Sequence, residues 1–147
     1  MSAERIWWWS CQAYKSRLVF LARLLKTINF VLFKAILPYQ ADIQRDIRLE
    51  HYGLGVVIHP NVRIGHRVRI FHQVTIAAQV AIGAEEQVVI GDDVLIGAGA
   101  IIISGVNQGL CIGNGAKVGA GAVVTEDVAV GMTVVSVHAR YIMPRQM

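Results

Sequence analysis

The chain has 147 residues, 54% of them apolar and 16% charged, with a formal net charge of +4 and two cysteines. That length corresponds to one domain with at most a short appendage, and the apolar content excludes intrinsic disorder. Cys11 and Cys111 form no spaced framework, which predicts free thiols in a reducing compartment and not a disulfide scaffold.

The charge is unevenly placed. Residues 1–40 hold Arg5, Lys15, Arg17, Arg23, Lys26 and Lys34 against Glu4 alone, so the remaining residues are slightly acidic. A nucleic-acid partner would require basic side chains over the folded body, so none is expected. From Trp7 to Leu37 the sequence is dense in Leu, Phe, Ile and Trp and lacks Gly and Pro, which predicts helix. Arg23, Lys26 and Lys34 interrupt it too often for a membrane span, and no small-residue cleavage site follows. On one continuous helix Lys15, Arg23, Lys26 and Lys34 share a quadrant while Arg17 falls outside it. With the Trp7-Trp8-Trp9 cluster this pattern has two readings: a helix lying in a membrane interface, or one packed on its own domain or on neighbouring subunits. Residues 1–36 are therefore the candidate for peripheral membrane contact.

From residue 43 onward a six-residue period governs the chain. Ile58, Ile64, Ile70, Ile76 and Ile82 are evenly spaced, followed by Ile90, Ile96 and Ile102, then by Ile112, Val118, Val124 and Val130. Two residues before each lies a second series of Val, Ala or Leu, and Gly follows many of the first, as in Ile64-Gly65 and Ile96-Gly97. A hexad is too short for a helix–loop unit, and a fixed short period signals a solenoid. Alternating aliphatics make a short strand, and the Gly is expected to permit the sharp turn after it. Three hexads complete a triangular coil, so roughly 95 residues give about five coils stacked on a common apolar column. The expected organisation is a helical segment at 1–40, a solenoid at 41–140 and a tail at 141–147. The GAGA at 97–100 is then a solenoid turn and no dinucleotide fingerprint.

The period slips at Leu49–Ile58, at Ile82–Ile90 around Glu85-Glu86, and at Ile102–Ile112. Extra residues must bulge from the prism, and bulges on a rigid scaffold carry function. His51 lies two after Leu49 and His72 two after Ile70, which predicts that they stack in adjacent coils, about 4.8 Å apart at the backbone. Asp92, two after Ile90, is expected to continue that column. Glu85-Glu86 and Asp92-Asp93 otherwise read as exposed turn acids.

The segments LPYQADIQRDIRLEHYGLGVVIHPNVRIG, IFHQVTI, VVIGDDVLIGAGA and IGNGAKVGAGAVVTEDV resemble the hexapeptide-repeat, left-handed parallel β-helix acyltransferases. Within them the segments resemble the serine acetyltransferase-like branch, which includes enzymes that acetylate sugars during polysaccharide assembly. The resemblance implies a cytoplasmic acetyl-CoA-dependent O-acetyltransferase, peripheral on the inner face of the membrane if residues 1–36 bind it. It also implies a homotrimer with sites between prisms, a hydroxyl acceptor (a sugar before serine) and no metal. Serine O-acetyltransferase is the alternative enzyme reading, and a non-catalytic trimeric scaffold the alternative outside enzymes.

By that resemblance His51 is the catalytic histidine, the general base a weakly nucleophilic hydroxyl needs at neutral pH. Ala77, Ala98, Lys117 and Ala120 match the CoA groove, with Lys117 toward a CoA phosphate. The acidic residue that supports the histidine falls at Ile36, leaving Glu50 or Asp42 to replace it, and His72 is a further candidate as acceptor contact or orienter. The family's acceptor-side Arg-His pair falls at Glu86 and Gln87, and its terminal Gly-Val-Pro-Ala-Arg reads Ser136-Val137-His138-Ala139-Arg140. His59, His66 and His138 read as solvated. A zinc site of His51, His66 and His72 is disfavoured because His66 falls on a different face of its coil.

Overall fold

The computed structural model describes residues 2–137; His138 and the predicted tail lie outside them. The N-terminal segment forms two helices, α1 (Ala3–Lys15) and α2 (Val19–Phe33). The single helix expected from composition is broken at Arg17, whose φ of 62° turns the chain back. The Arg17 and Leu18 N–H groups close the turn on the Tyr14 and Ala13 carbonyls, both at 2.9 Å. Small side chains let the two arms approach: Ala3, Ala13 and Ala22 are buried, Ser10 Oγ donates to the Ala22 carbonyl at 2.8 Å, and Asn29 Nδ2 to that of Ala3 at 3.1 Å. A basic quadrant running unbroken from Lys15 to Lys34 therefore does not exist.

The hexads build a parallel β-solenoid with three faces. The first carries strands centred on Ile43, Ile64, Ile90 and Ile112; the second, on Leu49, Ile70, Ile96, Val118 and Val134; the third, on Ile58, Ile76, Ile102 and Val124. Each aliphatic points inward onto its counterpart one coil away, and apart from Val134 all are buried. Stability is accordingly a sum of nearest-neighbour layers.

Two members of the sequence series are not in the core. Ile82 is 64% exposed and Val130 73% exposed. Residues 79–86 form an excursion between Ile76 of the third face and Ile90 of the first, and Ile82 rides on it. At the C-terminal end Val128, not Val130, bridges to Ile112 and faces inward. Hexad spacing of an aliphatic residue identifies an inward position only where a coil above or below pairs with it.

The glycines after the inward aliphatics also act differently from expectation. A Cβ on Gly97 would stand 2.5 Å from the Ala120 nitrogen of the next coil, so this glycine allows the coils to approach. The turn itself is made two residues later, by Gly99 at φ 67° and by Gln73 at φ 57° in the coil before.

The N-terminal end of the solenoid is closed by α1. Trp7 is wholly buried in the common core, and its indole Nε1 donates to the Pro38 carbonyl at 2.8 Å. Cys11 beside it is free, with burial pushing its thiol up to about 12, while Cys111 is free and exposed. Lys15 at the end of α1 reaches Asp42 at 2.7 Å.

The two glycine roles predict different costs. Gly97→Ala forces backbone apart between coils and loses about 3 kcal/mol, whereas Gly99→Ala, with open space around it but a left-handed φ, loses about 1 kcal/mol. Urea unfolding followed by circular dichroism ranks the two; the reverse order would disprove the close-approach role.

Candidate active site

The corner between the second and third faces is where the sequence candidates meet. Leu49 pairs with Ile70 and Ile70 with Ile96, so residues two positions on stack in register: His51, His72, Ala98 and Ala120. The Gly99 N–H donates to the His72 carbonyl at 3.0 Å and the Gly121 N–H to that of Ala98 at 2.9 Å. Asp92 does not belong to this column. Ile90 lies on the first face, and Asp92 Oδ1 accepts the His66 N–H at 2.7 Å at a different corner. The excursion at 79–86 is longer than the aliphatic spacing implied, which shifts Asp92 by one face.

The His51 and His72 rings stand edge to face, 4.8 Å between centroids and 81° between planes. His51 is exposed on a three-residue insertion whose backbone is unusual: His51 has φ 53° and ψ 40°, Tyr52 φ 60° and ψ 15°. Each non-glycine residue in this region costs about 1–2 kcal/mol, so surrounding contacts must impose it. Tyr52 stacks on Phe33 at the end of α2 with ring centroids 6.3 Å apart. Phe71 packs 5.9 Å from the His51 ring, and the Arg69 guanidinium lies 5.8 Å from the Phe71 ring. His72 is half-buried, and its Nδ1 is buried without a hydrogen-bond partner among the described residues. An orphaned ring nitrogen beside an exposed imidazole marks the point where a ligand would complete the bonding.

Neither candidate carboxylate is bonded to His51. Glu50 Oε1 accepts Arg69 Nε at 2.9 Å on the outer side of the second face. Asp42 lies on the first face between Lys15 and Arg63, and the Lys15 bond holds its carboxyl below the usual range. Ile36, the position where the resemblance places the supporting acid, is exposed and bridges to Val57.

Ala98 and Ala120 present a narrow, smooth corner. A Cβ built on Gly99 or Gly121 meets nothing, so this stretch is open main chain suited to an extended ligand. Lys117 projects from the second face between Leu95 and Thr133, and Ala77 ends a strand of the third face. His66 is bonded to Asp46 at 3.2 Å at another corner, and His59 Nδ1 accepts the Asn61 N–H at 3.1 Å, its pKa lowered by burial. Among the described residues no group of three His, Cys, Asp or Glu is placed to hold a metal.

Sequence reading missed Asn61. Buried on the third face's far corner, it donates through Nδ2 to the Ala81 and Ala84 carbonyls at 3.1 Å and accepts the Gly83 N–H at 2.9 Å. It thereby fixes the excursion that carries Glu86. A lone Asn-Val in a hexad gives no signal for this.

Fold and repeat together define a left-handed parallel β-helix of hexapeptide repeats. Among solved structures the chain is similar to the serine acetyltransferase of Neisseria gonorrhoeae in complex with serine, at 30% identity over 95% of this chain and 55% of that one, with a TM-score of 0.78. It is similar to the soybean serine acetyltransferase complexed with serine at 35% identity, covering 95% of this chain and 54% of that one, with a TM-score of 0.76. The Brucella abortus enzyme in complex with coenzyme A matches at 26% identity, covering 92% of this chain and 52% of that one, with a TM-score of 0.78. The chain thus spans about half the length of the structures it matches. No protein-family model matches the sequence, and neither does any curated protein.

Proposed function

We propose that the chain is an acetyl-CoA-dependent O-acetyltransferase working in the cytoplasm, with His51 as general base. The observation that carries this is the paired imidazole corner, His51 exposed against the unsatisfied Nδ1 of His72, continued by the smooth Ala98–Ala120 main chain. Similarity to a serine acetyltransferase bound to coenzyme A supports the donor.

In this reading the donor lies along Ala98 and Ala120 with Lys117 toward a phosphate. The acceptor hydroxyl gives its proton to His51 as its oxygen attacks the thioester carbon. The tetrahedral intermediate then expels the CoA thiolate, which takes the proton back from the His51 imidazolium. His51 is held by its strained backbone, Phe71 and His72 in place of a carboxylate, so its orientation comes from packing.

Serine is the acceptor that the comparisons support, since similar enzymes are seen in complex with it. A sugar hydroxyl is the second reading. It is favoured by the exposed Glu86 and Gln87 at the positions where the resemblance expects an Arg-His pair, an acidic surface ill suited to a free carboxylate. Thiol release from acetyl-CoA with serine, nucleotide sugars and lipid-linked sugars distinguishes them, and failure of every acceptor to stimulate release would leave the scaffold reading. His51→Ala lowers turnover about 10²–10⁴-fold with CoA affinity retained, while His72→Ala lowers it only partly. Unchanged turnover in His51→Ala would place the base elsewhere.

The assembly we propose is a homotrimer packed through the third face. Its outward side chains are mainly apolar, Val57, Ile101 and Val123 with Thr75 between the first two, extended by Ile36. The second face instead presents Arg48, Arg69 and Lys117, and the first Asp42 and Arg63. The third face has the His51 corner on one edge and the 79–86 excursion on the other, so a ring of three sets one chain's excursion near its neighbour's imidazoles. Light scattering should report a trimer that Ile101→Glu with Val123→Glu dissociates; a monomeric wild type at micromolar concentration would refute this site architecture.

A further inference from the structure

In α2 only Ala22 and Asn29 are buried, although eleven of its 15 residues are apolar. The arc opposite these two residues carries Phe20, Leu24 and Val31, 83%, 46% and 58% exposed, together with Thr27, and Leu32, 60% exposed, lies on one flank. Arg23 and Lys26 lie on the other flank, Arg17 in the turn before the helix and Lys34 at its end. None of these four cations meets a carboxylate among the described residues, and no acidic residue occurs between Glu4 and Asp42.

Packing on α1 accounts for only one side of this helix. The end of the solenoid is already closed by α1 through Trp7, and α2 touches the body through Phe33 on Tyr52 and through Lys26, 5.9 Å from the centroid of the Tyr39 ring. A second copy of α2 would add four more uncompensated cations to the same contact. No described helix is long and apolar enough to cross a membrane. An apolar arc flanked by cations without acids suits a helix lying in the plane of an anionic interface, its aliphatic and aromatic side chains below the headgroups and its Lys and Arg among them.

We infer that α2 docks the protein on anionic phospholipid bilayers, with Phe20, Leu24 and Val31 inserted and Arg17, Arg23, Lys26 and Lys34 against the headgroups. Through the Phe33–Tyr52 stack, docking holds the His51 corner close to the membrane surface. The inference is independent of the acetyl-transfer reading, because binding is measured without donor or acceptor.

The test is flotation of the full chain with phosphatidylcholine vesicles, with or without phosphatidylglycerol, at low and high salt. The wild type floats only with anionic vesicles, and less at high salt. Each cation beside such a surface contributes about a fivefold factor, so Arg23→Gln with Lys26→Gln lowers partitioning about thirtyfold. Phe20→Ser with Val31→Ser abolishes flotation although the charge is unchanged. Helical circular dichroism and oligomeric mass, unchanged in both variants, exclude misfolding as the cause. Recovery of wild type with neither vesicle, or equally with both, overturns the inference. So does a fall in oligomeric mass for Phe20→Ser with Val31→Ser, which would show that a second copy covers this arc.

Discussion

The parallel ladder between coils is the constraint on which everything else depends. Each coil must place its inward aliphatics on those of its neighbours, as Leu49, Ile70, Ile96 and Val118 do, because a coil cannot bury its own apolar face alone. That requirement fixes the register of every outward and corner residue as well. His51 meets His72 because Leu49 pairs with Ile70, and the insertion between Leu49 and Ile58 adds length without disturbing that pairing. Gly97 belongs to the same constraint: with any side chain there, the coils could not close to ladder distance.

With the interior uniform, the three faces are free to differ outside. Ion pairs such as Lys15–Asp42 and Arg63–Asp42 cover the first, cations and Glu50 the second, and aliphatic side chains the third. The exposed pairs contribute little stability, on the order of 0–1 kcal/mol each. They keep charge on two faces, while the third carries mostly aliphatic side chains outward.

The inward column was legible because its period repeats through every coil, and so was the His51–His72 stack, since it needs only a count from paired residues. The failures share one cause. Ile82 and Val130 have the right spacing but no coil to pair with, and spacing alone does not report pairing. The misplacement of Asp92 follows directly from counting Ile82 as a core position. The break at Arg17 had no Gly or Pro to announce it, since close contact between α1 and α2 imposes a left-handed residue there. Asn61 and the orphaned Nδ1 of His72 depend on three-dimensional neighbours and leave no local trace.

The candidate base is oriented in a way that connects these observations. A histidine without a carboxylate partner must be aligned by packing, and His51 sits on two consecutive left-handed residues that would relax if unsupported. Their supports come from separate parts of the chain: Phe33 from α2, Phe71 and His72 from the adjacent coil, and Arg69 binding Glu50 at the start of the insertion. The N-terminal hairpin is therefore more than an end cap. By stacking on Tyr52 it supports the backbone that presents the imidazole, so a change in how α2 is held reaches His51 through a single aromatic contact.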